Sequence, residues 1–319
     1  MQHHEVFANF KQVRLNPGAQ FCTNFLGAIV RKEYLDYFYA EKLAHTDRQQ
    51  ERGCARYPDF SEGYFEWISV LESVVQAKKR FTMFELGAGF GFHLVNAYLA
   101  VRSFHGEGFP CYLTGIEAEE THFAWLKQNF IDNHIDPKKH RLINAAVYDK
   151  DGNVFFQIGF PANYGNAVVN KLVHLRHLTE GIFLFVSGKN RHPGKRKLTL
   201  TDSKSGKAVH GFIEEKKVRA VCLKSLLAPC GCVDLIHADI QGAESKVFSS
   251  AKNEIAQKVK RVHIGTHSPE IEAGLRALFN NLGWKCLYDY PCKRTSDTAY
   301  GAIYFDDGVQ VWLNRELDE

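Results

Sequence analysis

No apolar run in this sequence approaches the ~20 residues that a membrane-spanning helix needs. The opening MQHHEVFANF also lacks the charged-then-apolar layout of a secretory signal. The expectation is a soluble, cytoplasmic protein. Charge of one sign is lacking too: 40 lysines and arginines stand against 36 aspartates and glutamates, and a formal charge of +4 does not by itself indicate a nucleic-acid surface. The eight cysteines never fall in the paired CxxC spacing of a structural zinc site. Cys230 and Cys232 flank a glycine and read as a turn of small residues, and free thiols of a reducing compartment fit the set. There is no internal repeat.

What is present is a 319-residue chain with 45% hydrophobic residues, enough to bury a core of ordinary size. Residues 1–79 read as an aromatic-rich helical region packed on the core, with EYLDYFYAEKL as one helical piece. Tyr64, Trp67, Ile68, Leu71 and Val74 recur at helical spacing behind a capping position at Ser61. That stripe covers a sheet or, alternatively, supplies a homodimer surface. From about residue 80 apolar strands alternate with amphipathic helices. FTMFEL, CYLTGIEA, RLINAAVY, NVFFQIGF, VDLIHADI and RVHIGTHS read as strands, with WKCLYDY and AYGAIYFDDGVQVWLN as two closing ones. FHLVNAYLAVRSF, EETHFAWLKQNFIDN, ESKVFSSAKNEIAQKV and EIEAGLRALFNNLG read as helices. This alternation predicts an α/β domain over 80–319, a mostly parallel sheet with helices on both faces. Residues 161–215 break the rhythm with basic and small polar residues and read as an insertion, either mobile or a lid over an anionic substrate.

The most informative segment is Glu85-Leu86-Gly87-Ala88-Gly89-Phe90-Gly91, which leaves a strand and enters a helix directly. Gly87, Ala88 and Gly89 form a turn that lets a ligand lie against bare backbone. A dinucleotide site reads GxGxxG so that a pyrophosphate rests on helix N-terminal amides. Here the third glycine arrives one residue early, and Glu85 would repel a diphosphate while attracting a ligand ammonium. The next strand ends at Glu117-Ala118, where a doubly wound sheet presents a carboxylate to both ribose hydroxyls. A helix-capping glutamate is the plainer alternative. Asn144, Ala145 and Ala146 end the third strand and leave room for adenine, unless they are simply close-packed under a helix. The ligand predicted is S-adenosyl-L-methionine.

Methyl transfer to a hydroxyl needs positioning and a group to take the proton. Asp239, His267 and His237, in that order, are the candidates, at the ends of strands VDLIHADI and RVHIGTHS. Each also has a structural explanation, as a helix cap or a hydrogen-bonded packing residue, and Glu244 fits helix-dipole stabilisation. A divalent metal held by two histidines and an aspartate is a lesser alternative; no metal ligand is assigned.

These pieces together resemble the FkbM family of methyltransferases. The resemblance rests on the glycine turn, NAAVYDKDGNVFF, VRAVCLKSLL leading to VDLIHADIQGAE, and RVHIGTHSPEIEAGLRALFNNLGW, and it covers roughly residues 80–315 apart from the basic insertion. It implies a Rossmann-like class I methyltransferase sheet of seven strands and O-methylation of a sugar, glycan or secondary metabolite. The chain departs from the family's usual pattern at Gln241, where an acidic residue is customary, and at His237, where lysine is common. Two other functions compete: a nucleotide-cofactor oxidoreductase, against which the early third glycine argues, and an RNA-modifying or nucleic-acid-binding protein, suggested only by the lysine-rich segment.

Overall fold

The computed structural model describes residues 2–35, 56–159, 164–169, 195–201 and 208–317, with only the backbone given for 195–201 and 208–211. The chain does not begin with the helices its composition suggested. A short 3-10 turn at Glu5–Asn9 is followed by a hairpin of β1 (Phe21–Thr23) and β2 (Ile29–Arg31). Gly18 and Gly27 stand at φ +90° and +85°, a backbone no right-handed helix contains, which is why this stretch turns instead. Of EYLDYFYAEKL only the first residues are described, in a second 3-10 turn at Lys32–Tyr34; the rest lies outside the described residues. Helix α1 (Glu62–Val75) follows the predicted stripe. Tyr64, Trp67, Ile68, Leu71 and Val74 are buried together with Val6, Phe7, Phe10 and Phe25, so the aromatic face covers the sheet. Ser61 occupies the N-cap position, but its side chain makes no capping bond.

The remaining elements in chain order are β3 (Phe81–Leu86), α2 (Phe92–His105), β4 (Cys111–Glu117), α3 (Glu120–Asp132), β5 (Arg141–Asn144), β6 (Ala146–Tyr148), β7 (Gly152–Ile158), β8 (Val168–Val169), β9 (Lys195–Thr201) and β10 (Ala208–Cys222). Then come α4 (Leu223–Leu227), β11 (Val233–Ala238), α5 (Glu244–Ser250), α6 (Lys252–Lys258), β12 (Val259–Thr266), α7 (Pro269–Asn281), β13 (Lys285–Tyr290), β14 (Arg294–Thr298), β15 (Gly301–Phe305) and β16 (Gly308–Leu313). Seven of the strands form one sheet in the order β13-β16-β12-β11-β3-β4-β5. β5, β4, β3, β11 and β12 run parallel, while β16 is antiparallel to both of its neighbours. Every residue of β3 and of β11 is buried, as continuous apolar runs covered on both faces require.

Three predicted elements split. RLINAAVY bends at Ala145, whose amide donates to the Glu117 carbonyl, so β5 stays in the central sheet and β6 leaves it. ESKVFSSAKNEIAQKV breaks at Ala251 into α5 and α6. The closing stretch turns at Asp306-Asp307-Gly308, giving β15 to a separate hairpin with β14 and β16 to the main sheet.

β6 to β10 make a second sheet beside the β4–β5 edge, with β10 at its centre. The described ends of the supposed insertion are therefore strands. The stretches 160–163, 170–194 and 202–207, where a basic lid was expected, lie outside the described residues. No helix among the described residues is long and apolar enough to cross a membrane.

One close approach fixes the centre of the fold. Gly87 has φ +78°, and a Cβ built on it would lie 1.9 Å from the Asp239 carbonyl oxygen. The exits of β3 and β11 thus touch through bare backbone. Gly87→Ala is expected to lower the unfolding free energy by about 3 kcal/mol or more, from left-handed strain plus a backbone collision. Urea denaturation checks this, and a loss below about 0.5 kcal/mol, the scatter of neutral surface changes, would contradict the packing described.

Candidate functional site

The site begins with how the glycine turn satisfies its own amides. Gly87 and Ala88 both donate to the Ile116 carbonyl, at 3.0 and 2.9 Å, and Gly91 donates to Ala88. Gly89 donates to Glu117 Oε2 at 2.8 Å. At the start of α2, His93 and Leu94 donate to the two carboxylate oxygens of Glu85, at 3.4 and 3.3 Å. Six of the eight amides from Gly87 to Leu94 are thereby matched to acceptors inside the protein. A diphosphate held on a helix N-terminus needs those donors for itself. Glu85 consequently sits beneath the helix and not on the pocket wall, which corrects the idea that it faces a ligand ammonium. Burial pushes its carboxyl up to about 7.

A cleft opens over this turn. Gly87, Gly89, Glu117, Ala118, Ala145, Ala146 and Asp239 line it, together with Ile116, His122, Val147, Phe156, Tyr164, Asn166, Val168, Ile240 and Gln241. Glu117 is the acid at its floor. Its two oxygens accept from the Gly89 and Glu119 amides, at 2.8 and 2.7 Å, which leaves each with further lone-pair capacity. The helix cap weighed as its alternative role is filled by Glu119, which accepts from the His122 amide. Burial raises the Glu117 carboxyl to about 7.

Two residues expected on the wall do not line it. Ala88 is buried in the core, and Asn144 spends its amide on the Glu117 and Ala118 carbonyls, fixing the loop that carries Glu117. Sequence reasoning missed the outer wall. Phe156 and Val168 come from the second sheet, while Tyr164 stacks on His122 at 4.4 Å and donates to the Tyr34 carbonyl. The pattern NVFFQIGF marked a strand at Phe156, but nothing local marked Tyr164.

Asp239 follows β11 directly and keeps 41% of its side chain exposed, enough to meet a substrate at the cleft. Gln241 donates to its Oδ1 at 2.9 Å from a backbone at φ +50°, and His267 Nε2 stands 3.3 Å from the same oxygen. His267 Nδ1 lies 2.9 Å from Glu244 Oε1, and Nε2 is 3.6 Å from Asp307. Burial alone would lower the His267 imidazole, but Asp239 and Glu244 outweigh it and raise it to about 10. With Asp239, Glu244 and Asp307 around it, the His267 imidazole is favoured in its charged form, as a cationic partner of Asp239. Glu244 is fully buried and accepts from the Ile240 and Gly242 amides, which closes the turn before α5.

His237 does not join Asp239 and His267. Its side chain lies on the opposite side of β11, buried against Glu66 at 3.3 Å and between the rings of His93 and His263. The three residues weighed as a metal set are therefore not assembled. Among the described residues, three other groupings bring potential ligand atoms within 4.8 Å of one another: Asp239, Glu244 and His267 at the cleft, and below it Glu66, His237 and His263, and Glu85, His93 and His237.

No family model matches the chain. A protein of Jannaschia sp. (strain CCS1) described as "Putative methyltransferase" is 24% identical over 295 residues, covering 92% of each chain. Among solved structures, the MTase domain of METTL16 is 10% identical with a TM-score of 0.43, covering 92% of this chain and 86% of that one. Methyltransferase FkbM from Methylobacillus flagellatus KT is 9% identical with a TM-score of 0.40, covering 86% and 60%. The sheet itself, six strands of one direction with a single antiparallel strand, β16, inserted next to the β13 edge, is the Rossmann-like class I methyltransferase fold.

The charge state of His267 gives a pH dependence with a definite sign. Its folded pKa lies above the ordinary 6.5, so the stability it contributes is complete below about 6.5 and disappears as pH rises through about 10. Relative to His267→Gln, the wild type is expected to be more stable by roughly 2–3 kcal/mol at pH 6 and to lose that margin by pH 10. Urea unfolding across this range measures it; a margin that stays constant or grows with pH would rule out the imidazolium.

Proposed function

We propose that this chain is an S-adenosylmethionine-dependent methyltransferase whose acceptor is a hydroxyl of a sugar, glycan or secondary metabolite. The single observation that carries the proposal is the pairing at the β3 exit: amides already matched inside the protein, beside a buried carboxylate with lone pairs to spare. A dinucleotide would find its diphosphate donors taken. A ribose diol finds in Glu117 an acceptor for two hydroxyls, and Gly87 and Gly89 present backbone where a side chain would intrude. Small Ala145 and Ala146, with Phe156 across from them, suit a flat base. The relative described as a "Putative methyltransferase" supports the same class, and the DIQGAE segment resembles the FkbM pattern.

S-adenosylmethionine, when bound, would supply an electrophilic methyl group, with its thioether sulfur as the leaving group for in-line attack by the acceptor oxygen. The protein's own residues do the positioning, from which well-oriented reactants can gain roughly 7–11 kcal/mol. Glu117 orients the adenosine end, while Asp239 accepts a hydrogen bond from the acceptor hydroxyl, aims its oxygen and takes its proton as the new C–O bond forms. Gln241 and His267 hold the Asp239 carboxylate from two sides, so that it does not swing into solvent. His237 and Glu85 lie outside the cleft and act, in this assignment, on the scaffold.

A division of labour follows between the two carboxylates. Glu117→Ala is expected to weaken donor binding by about 10–100-fold, the loss of two charge-assisted hydrogen bonds. Asp239→Ala is expected to leave donor affinity within about threefold and to lower kcat by about 100-fold or more. Calorimetric titration with the donor, combined with labelled-methyl transfer to pools of nucleotide sugars, glycans and small metabolites, reads both. The reverse pattern, or label appearing only in RNA, would overturn the assignment.

A further inference from the structure

Beneath the cleft, the central strands carry an unusual row of polar residues at one level. Glu85 on β3, His237 on β11 and His263 on β12 are register partners across the sheet. Residues at matching positions of parallel strands point to the same face, here the face covered by α1 and α2. α1 adds Glu66 and Ser69, one turn apart, and α2 adds His93 in its first turn. His237 is 4% and His263 1% exposed, so both imidazoles are interior groups.

Each of these two imidazoles is held by one nitrogen only. His263 Nδ1 meets Ser69 Oγ at 2.8 Å and His237 Nε2 meets Glu66 Oε1 at 3.3 Å. His263 Nε2 and His237 Nδ1 have no hydrogen-bond partner among the described residues. A buried ring nitrogen without a partner costs free energy, and interiors rarely leave one so. The buried Nε2 of His263 is open to a ligand, while Ser69 holds the ring through the other nitrogen.

We propose that Glu66, His237 and His263 bind a divalent transition-metal cation, zinc first, between α1 and the central sheet. A ligand atom from each lies within 4.8 Å of the other two, and the His237 and His263 ring centroids are 5.2 Å apart. Zinc holds nitrogen and oxygen at roughly 2.0–2.2 Å, so closure onto an ion needs side-chain shifts of roughly an ångström. Two imidazoles with one carboxylate favour zinc, cobalt or nickel over magnesium and calcium, which need oxygen. Ser69 on His263, and His93 at 3.4 Å from the second Glu66 oxygen, supply the outer contacts that orient metal ligands. Glu66 keeps 31% of its side chain exposed, which gives the ion a way in. The site fastens α1, and with it the aromatic N-terminal packing, to β11 and β12. It does not depend on what the cleft binds.

The test uses the full chain. After treatment with chelator and dialysis, the protein is titrated with cobalt(II) and followed by visible absorption, with zinc as competitor. X-ray absorption on the zinc-loaded wild type then counts imidazole ligands. The expected result is one equivalent of metal, two or more imidazoles around it, and binding weakened at least tenfold in His263→Gln but not in His267→Gln. Three outcomes overturn the proposal: no stoichiometric binding, so that only water fills the gap; a single imidazole on the ion, which is the composition of the Asp239, Glu244 and His267 group; or loss of binding in His267→Gln. Should His263→Gln fail to fold, cobalt affinity in Glu85→Gln decides: binding kept supports the site, and binding lost moves the ion to the Glu85, His93 and His237 group and overturns it.

Discussion

The structure turns on one contact, the approach of the β3 exit to the β11 exit through Gly87. Because the Gly87 Cα has no room for a side chain against the Asp239 carbonyl, the two central strands end side by side with their following loops splayed over the same cleft. The rest of the site is set by what that forces. The chain must then turn within five residues into α2, and the amides of the turn and of the first turn of α2 close on Ile116, Glu117 and Glu85. The same contact puts the Asp239 side chain at the lip of the cleft. A helix N-terminus that in a dinucleotide fold would greet a phosphate is here occupied by a buried carboxylate of the protein itself.

Two layers of ionisable groups result, separated by β11. On the cleft side, His267 lies among Asp239, Glu244 and Asp307, which favour its charged form and are partly neutralised by it. On the far side, Glu66 bridges His93 and His237, and His263 leans on Ser69. Burial pushes the His237 and His263 imidazoles down, whereas His93 is raised, against its burial, by Glu66. Such a polar row in the middle of an apolar core is expensive unless its members pair, and it sits where the N-terminal helix meets the sheet.

Much of this was legible in the sequence because the relevant signals are local. The period of apolar residues marked the strands and the α1 stripe, and the glycine turn with Glu117 marked the cleft. What was not legible depended on contacts between distant segments. Glu85 looked like a ligand group because its position in the strand is visible, while its capture by the His93 and Leu94 amides is not. His237 and Asp239 share a strand two residues apart, yet the chain leaves the strand at Ala238, so the expected common face does not extend to Asp239. The N-terminal hairpin was read as helix because its aromatics outweighed Gly18 and Gly27. Tyr164 and Phe156 reach the cleft only through the second sheet, whose central strand β10 begins in what composition marked as an insertion.

The central claim is that the β3 exit is built for an adenosyl ligand without a diphosphate. Calorimetric titration of the wild-type chain with S-adenosylmethionine and, separately, with a nicotinamide dinucleotide tests it most directly. Saturable one-to-one binding of the first and none of the second is the predicted result. Tight dinucleotide binding with no heat from S-adenosylmethionine would contradict it.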